Sequence, residues 1–282
     1  MEWHSLKQEL FLAALPNHKG NCYSIVQASR LKNLSNHMTF HTPIMLIMAS
    51  LLTLSIPMQG SASPLIPYSA NYSAEFNGLE IKATNRIEEL SPGQYRETFV
   101  ARNILGKIDE EALFYISEDH QLIPKQYSRK QSIMGVARKE TQLFDWPNTV
   151  LLYTKKGQTS EIPIIVGTLD ITTHKLQLRR DLHAGKAIFS YPVISRKKLK
   201  QYTYEIVGLE VLETAVGPLN TVRMQRVAAD KKRQTTIWFA ADWDYLIVKL
   251  MRIEDGESYY MDLIDGEINN NPVIPLKIIT EK

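Results

Sequence analysis

The sequence predicts a mainly β fold: an antiparallel, strongly curled sheet or barrel-like β domain with one main α-helix. Three observations carry this reading. Beyond residue 63, apolar and polar residues alternate in run after run, the period of a half-buried strand. Turn signals such as Asn77-Gly78, Ser91-Pro92-Gly93 and Asp255-Gly256 separate the runs at hairpin spacing. One stretch alone, Gly167 to Gly185, leaves the alternation and takes helical spacing.

Tyr68, Ala70, Tyr72, Ala74 and Phe76 share one parity and form the first expected strand, which ends at Asn77-Gly78. Leu79–Leu90, Tyr95–Ile104, Ile108–Ser117, Ile123–Lys130, Arg138–Trp146 and Asn148–Lys155 follow as strands. Gly106, Glu118-Asp119, Gly135, Pro147 and Gly157 punctuate them. Gly157 to Glu161 reads as a connecting loop. The helix is expected over Asp170–Ala184, with Asp170 as N-cap, Gly185 just past the end, and Ile171, His174, Leu178 and Leu182 on one face. Strands resume at Ala187–Ser195 and continue through Lys200–Arg226, Gln234–Ala241, Tyr245–Ile253 and Glu257–Ile264. Tyr202, Tyr204 and Ile206 share a parity that switches past Gly208 to Leu209 and Val211, which predicts a bulge or corner at a glycine-only backbone. A single continuous sheet is favoured over two lobes divided by the helix.

Four segments follow: an upstream segment at 1–37, a signal peptide at 38–62, a β-rich domain at 63–268 and a loose tail at 269–282. Pro43–Ile56 is a 14-residue apolar run, the length of a signal-peptide core and short for a spanning helix. Pro57 breaks it, and Gly60-Ser61-Ala62 supplies small residues, so cleavage is expected between Ala62 and Ser63. The layout points to a start at Met38; with Met1 as the start, Arg30 and Lys32 provide the positive charge ahead of the core. An uncleaved N-terminal anchor is the competing reading. The only cysteine, Cys22, precedes the cut, so the mature chain is expected to have neither disulfide nor thiolate metal site. A domain of about 220 residues can bury a sizeable core without such staples.

Residues 1–62 hold four of the 33 basic and two of the 30 acidic residues, leaving 29 and 28 for the rest. That balance argues against a nucleic-acid binder built on bulk charge.

The order Tyr202-x-Tyr204, Val207-Gly208-x-Glu210, Gly217, Thr221-Val222, Trp238 and Ala240, preceded by Leu169-Asp170-Ile171-Thr172 with Leu178-Arg179, resembles a bacterial exported family, domain of unknown function 3108. The likeness runs from about Tyr68 to Asp265, with Thr172 standing where the family usually has Ser. It implies a signal-bearing, β-rich, periplasmic envelope protein and carries over no activity and no catalytic residue.

The residues themselves name no catalytic group. His120, His174 and His183 are the histidines of the mature chain, and none shares the i,i+4 spacing of a metal pair. No G-x-S-x-G elbow, G-x-G-x-x-G or Walker pattern occurs. Glu110 and Glu111 point to opposite faces of a strand and cannot act together. Asp242-Trp243-Asp244 is a turn that could stack a sugar on Trp243, and Glu210 reads as a ligand contact or as the partner of an arginine. Arg129-Lys130, Lys155-Lys156, Arg196-Lys197-Lys198 and Lys231-Lys232-Arg233 read as solvated hairpin tips or as contacts for anionic envelope polymers and lipid head groups. Tyr72, Phe99, Phe114, Phe189, Tyr202, Tyr204 and Trp238 form an aromatic inventory that either fills a barrel or lines a pocket.

The resulting expectation is a non-enzymatic envelope protein whose curled sheet holds an apolar or envelope-derived ligand. The alternatives are an envelope hydrolase acting on glycans or esters, and an assembly module pairing through a strand edge. No metal, cofactor, nucleotide or nucleic acid is expected, the partner is left open as an envelope ligand or protein, and membrane association after cleavage is at most peripheral.

Overall fold

The computed structural model describes residues 65–76, 79–227 and 233–275. The upstream segment, the signal peptide with its cut between Ala62 and Ser63, and the Lys231-Lys232 pair lie outside the described residues.

The chain makes a meander of strands: β1 (Tyr68–Phe76), β2 (Leu79–Ser91), β3 (Gln94–Asn103), β4 (Gly106–Ile116), β5 (Leu122–Ile133), β6 (Val136–Asp145), β7 (Val150–Lys155) and β8 (Gln158–Pro163). The helix α1 (Thr173–His183) follows. Then come β9 (Phe189–Ser195), β10 (Lys198–Thr214), β11 (Gly217–Val227), β12 (Arg233–Ala240), β13 (Leu246–Glu254), β14 (Glu257–Ile268) and the short β15 (Asn271–Pro272). All belong to one antiparallel sheet, in the order β8-β7-β6-β5-β4-β3-β2-β1-β14-β13-β12-β11-β10-β9, with β15 beside β14. The two runs of hairpins are sewn together where β1 pairs with β14, from Tyr68 against Ile268 to Ala74 against Met261. The sheet is not closed: β8 and β9 are its two edges. Leu169 bridges onto Val193 at the β9 edge, donating to Pro192 O and accepting from Ile194 N, which covers part of that edge.

Alternation decides which face is buried. In β2, Ile81, Ala83, Asn85 and Ile87 are buried while their neighbours are not. The inward residues of β1–β5 and β9–β14 form one core with Leu169, Ile171, Leu176, Leu178 and Leu182. Each large aliphatic or aromatic side chain fully buried there, such as Phe114 or Phe239, contributes about 1.5–3 kcal/mol. A smaller cluster of Phe144, Leu151, Tyr153, Ile164 and Ile194 joins β6 and β7 to β9.

The helix lies inside this curl, and its burial is unlike the one-faced pattern expected. Thr173, His174, Gln177, Arg179, Arg180 and Asp181 are buried along with the leucines. Burial removes these polar groups from water, and protein partners in the helix, the strands and the turns take up many of their hydrogen bonds. Gln177 accepts from Leu122 N and donates to Asp181, which also accepts from Tyr191 OH at 2.8 Å. Arg179 crosses the Tyr68 ring at 4.6 Å and donates to Asp244. One helix is thereby tied to β1, β5, β9 and the β12–β13 turn.

Four details differ from the sequence reading. Gly157–Glu161 is not simply a loop: Gln158–Pro163 pairs fully with β7, although Pro163 and a scarcity of apolar residues hide the strand pattern. The helix begins at Thr173, and Asp170 caps it from one turn earlier, its Oδ1 accepting from the backbone of Thr172 and Thr173. The bulge lies beside Gly208, between Ile206 and Gly208 with Val207 the unpaired residue, but the backbone at Gly208 has no positive φ; an added Cβ would meet the Arg223 guanidinium, at 3.3 Å. The tail is not loose as far as Pro275: Val273 is buried, its N–H donates to Gly266 O, and Trp243 Nε1 donates to Ile274 O. No helix among the described residues is long and apolar enough to cross a membrane.

Candidate functional site

The N-terminal end of α1 faces a partly open cavity of about 100 Å³ lined by β1, β3 and β10–β14. Strand register explains its character. Met224 of β11 lies opposite Ile237 of β12, Ile237 opposite Leu250 of β13, Leu250 opposite Met261 of β14, and Met261 opposite Ala74 of β1. This is a continuous apolar row, and Phe99 and Ile171 add to it. Two residues along each strand, on the same face, lies a second row. Tyr204 sits opposite Arg226, Thr235 opposite Arg252, and Arg252 opposite Tyr259. The cavity therefore changes from aliphatic to cationic and phenolic in one step, towards the end of the sheet where β11–β12 and β13–β14 turn.

The cations are not equally engaged. Arg252 donates to Glu254 at 2.8 Å, and Arg233 contacts the same carboxylate at 3.1 Å. Arg226 is half-buried over the Tyr202 ring at 4.6 Å, and Lys175 reaches in from the helix. Among the described residues no carboxylate lies within ion-pairing distance of Arg226 or Lys175.

His174 forms part of the wall. Its Nδ1 lies 3.1 Å from Asp170 O and its Nε2 3.0 Å from Tyr204 OH. A backbone carbonyl can only accept, so Nδ1 carries the proton and Nε2 accepts from the tyrosine. The imidazole is lowered to about 3, by burial first and by Lys175 next, against the hydrogen bond to Asp170 O. The ring is neutral and both of its nitrogens are hydrogen-bonded.

Behind the cavity lies a buried polar layer. Glu97 accepts from Asn85 Nδ2 at 2.7 Å, and Asn85 accepts from Tyr68 OH. Burial raises the Glu97 carboxyl to about 7, against the pull of Lys175 and of the Asn85 hydrogen bond. Asp170 is raised by burial against its backbone hydrogen bonds, and Glu110 by burial against Arg129. Glu97 Oε2 and Asp170 Oδ2 are buried without a hydrogen-bond partner. A charged ladder continues across the neighbouring strands, Glu110 opposite Arg129, Arg129 opposite Glu140, and Glu140 opposite Lys155. Among the described residues no group of His, Cys, Asp and Glu could hold a metal ion.

Of the residues singled out in the sequence, the fold brings Phe99, Tyr202, Tyr204 and His174 to the cavity. Tyr72, Phe114, Phe189 and Trp238 pack in the core. Asp242 accepts from Asn220 and Asp244 holds Arg179, so this turn braces the fold and its Trp243 holds the tail. Glu210 pairs with Arg223 at 3.6 Å and accepts from Trp238 Nε1. Glu110 and Glu111 do face opposite ways, the first buried and the second not. Sequence reasoning missed Arg226, Arg252 and Lys175 at the site. The signal for the first two was present as parity, since each falls on the inward face of an otherwise apolar strand.

A family profile described as "Protein of unknown function (DUF3108)" matches residues 70–264. No curated protein matches the chain. Among solved structures, a beta-barrel-like protein of domain of unknown function DUF1849 from Brucella abortus is similar with a TM-score of 0.52 and 11% identity, over 72% of this chain and 98% of that one. The hypothetical protein CT021 from Chlamydia trachomatis aligns over 77% and 95% with 9% identity, but with a TM-score of 0.32. The Brucella protein supports the barrel-like fold and says nothing of activity.

Proposed function

We propose that this chain, which belongs to the DUF3108 family, is an exported cell-envelope protein that binds an amphipathic anion and catalyses no reaction. The two-row lining of the cavity carries the reading. An apolar segment fits against Ile237, Leu250 and Met261, and an anionic head fits one step outward against Arg226, with Lys175 beside it. An arginine on an aromatic ring, half-desolvated and without a carboxylate partner among the described residues, supports recognition of carboxylate or phosphate. The neutral, doubly bonded His174 favours binding over hydrolysis. The Pro43–Ile56 apolar run and the Gly60-Ser61-Ala62 site support export.

Titration calorimetry of the protein recovered from its own cells tests the ligand class. Decanoate and decyl phosphate should bind saturably, and decanol at least about tenfold more weakly. Arg226→Gln should remove most of that preference and leave decanol binding unchanged. Equal binding of all three ligands, or of none, overturns the reading. Export is read separately, from an N-terminus that begins at Ser63.

A further inference from the structure

In an antiparallel meander, successive turns alternate between the two ends of the sheet. The turns after β1, β3, β5, β7, β9, β11 and β13 therefore share one end. Those after β2, β4, β6, β10 and β12 share the other. The chain loads the two ends differently. At the second end these turns carry Glu118, Asp119, Asp242 and Asp244, with Asp145 ending β6, and no lysine or arginine; the longer β8–β9 connection at that end adds the exposed Lys186, which pairs with Asp181. At the first end, Lys155-Lys156 flank the β7–β8 turn and Arg196-Lys197-Lys198 make the β9–β10 turn.

The same end exposes aliphatic side chains where a soluble surface would have polar ones. The β3–β4 tip holds Ile104, 88% exposed, and Leu105. The β5–β6 tip holds Met134, 65% exposed, and Val136. These tips are neighbours, because β4 pairs with β5 and Met134 N donates to Leu105 O at 2.8 Å. Gly106 permits the contact, since a side chain there would strike the Ser132 carbonyl. A collar surrounds the tips: residues 102–108 and 130–139 contain Arg102, Lys107, Lys130, Arg138 and Lys139 and no acid. Only Lys107 of these is in an ion pair among the described residues, with Asp109. The acidic exceptions at this end are the β13–β14 turn, where Asp255 and Glu257 are exposed and Glu254 is held by Arg233 and Arg252, and the strand ends at the β1–β2 turn, where Glu75 and Glu80 face each other exposed.

We infer that the β3–β4 and β5–β6 hairpin tips form a membrane-docking surface for an anionic lipid bilayer. Four aliphatic side chains on two braced tips can enter the head-group region, while the collar lies level with the lipid phosphates. Charge complementarity selects a bilayer over a second copy of this chain, whose same tips would bring like charges together. The acidic β13–β14 turn would be repelled, which tilts the molecule onto the β3–β6 side. The surface is independent of the cavity, although the cationic row of the cavity lies towards the same end.

The test uses the protein recovered from its own cells with an Ile104→Trp reporter. On vesicles of phosphatidylcholine and phosphatidylglycerol, the added tryptophan should shift to the blue and be quenched by lipids brominated near the head of the acyl chain. Met134→Ser in that background, and Lys130→Glu with Lys139→Glu, should each weaken the response at least about tenfold. All four positions are exposed or at a tip, and circular dichroism reports whether each variant keeps its fold. Since every variant shares the N-terminus, any membrane affinity of residues 43–56 cancels from the comparison. An unchanged emission, a response indifferent to both variants, or self-association abolished by Met134→Ser without any vesicle response overturns the inference. Decanoate binding by the variants should stay as in the parent, so failure of docking and failure of the cavity reading are separable.

Discussion

Replacing Glu97 by Gln should change how stability depends on pH more than it changes stability itself. Glu97 is 5% exposed on β3 and receives one hydrogen bond, from Asn85, on Oε1. Burial raises its carboxyl from 4.5 to about 7, and the carboxylates of Asp170 and Glu110 add to the rise while Lys175 opposes it. Because the folded value is the higher one, the contribution to stability is complete below the unfolded value and is lost as pH rises through 7. The shift between the two values corresponds to about 3 kcal/mol. Glutamine keeps an acceptor for Asn85 and never ionises. The measurement is urea unfolding of parent and variant at pH 4 and pH 8.5, followed by far-UV circular dichroism. The difference between variant and parent should move by about 3 kcal/mol in favour of the variant between the two pH values. Any packing cost of the amide is common to both conditions and drops out. A movement below about 1 kcal/mol refutes the idea that burial holds Glu97 neutral.

On the acid side, His174 has its folded value depressed from 6.5 to about 3, so its contribution is present above 6.5 and is lost as pH falls through 3. His174→Gln should flatten that acid limb, seen as a melting temperature that changes less between pH 6.5 and pH 3.5 than the parent's; an unaltered slope counts against a neutral, doubly bonded ring. Arg129→Ala should cost about 3–5 kcal/mol at neutral pH, since it strands the buried Glu110 carboxylate now 3.3 Å away. Arg129→Leu with Glu110→Leu should recover most of that loss in denaturant titration, and a cheap single variant would show that the pair is already solvated.

The sequence by itself determined the strands, most of the turns and the existence of one helix. These are local: alternation of side chains across a pleat, a glycine-bearing hairpin and an apolar period are all written in neighbouring residues. Gly208 shows the limit, because its parity switch located the bulge next to it but could not reveal that the side chain approaching the glycine is that of Arg223. The strand at Gln158–Pro163 escaped because it is an edge with few apolar residues, stabilised by the ladder to β7 and not by a buried face. The tertiary structure alone decided that the helix is wrapped by the sheet. From its sequence the helix has one apolar face; its polar residues are buried because distant partners, Leu122 N, Tyr191 and Asp244, meet them there. The cavity is of the same kind. Arg226 and Arg252 are 26 residues apart in the chain, and only the register of β11, β12 and β13 places them in one row beyond Ile237 and Leu250. The two-ended charge pattern also waited on topology, since a turn's sequence gives its charge but only the order of strands gives its end of the sheet. Local patterns fix which bonds a strand can make, whereas long-range pairing fixes which side chains share a space, and a binding site is a shared space.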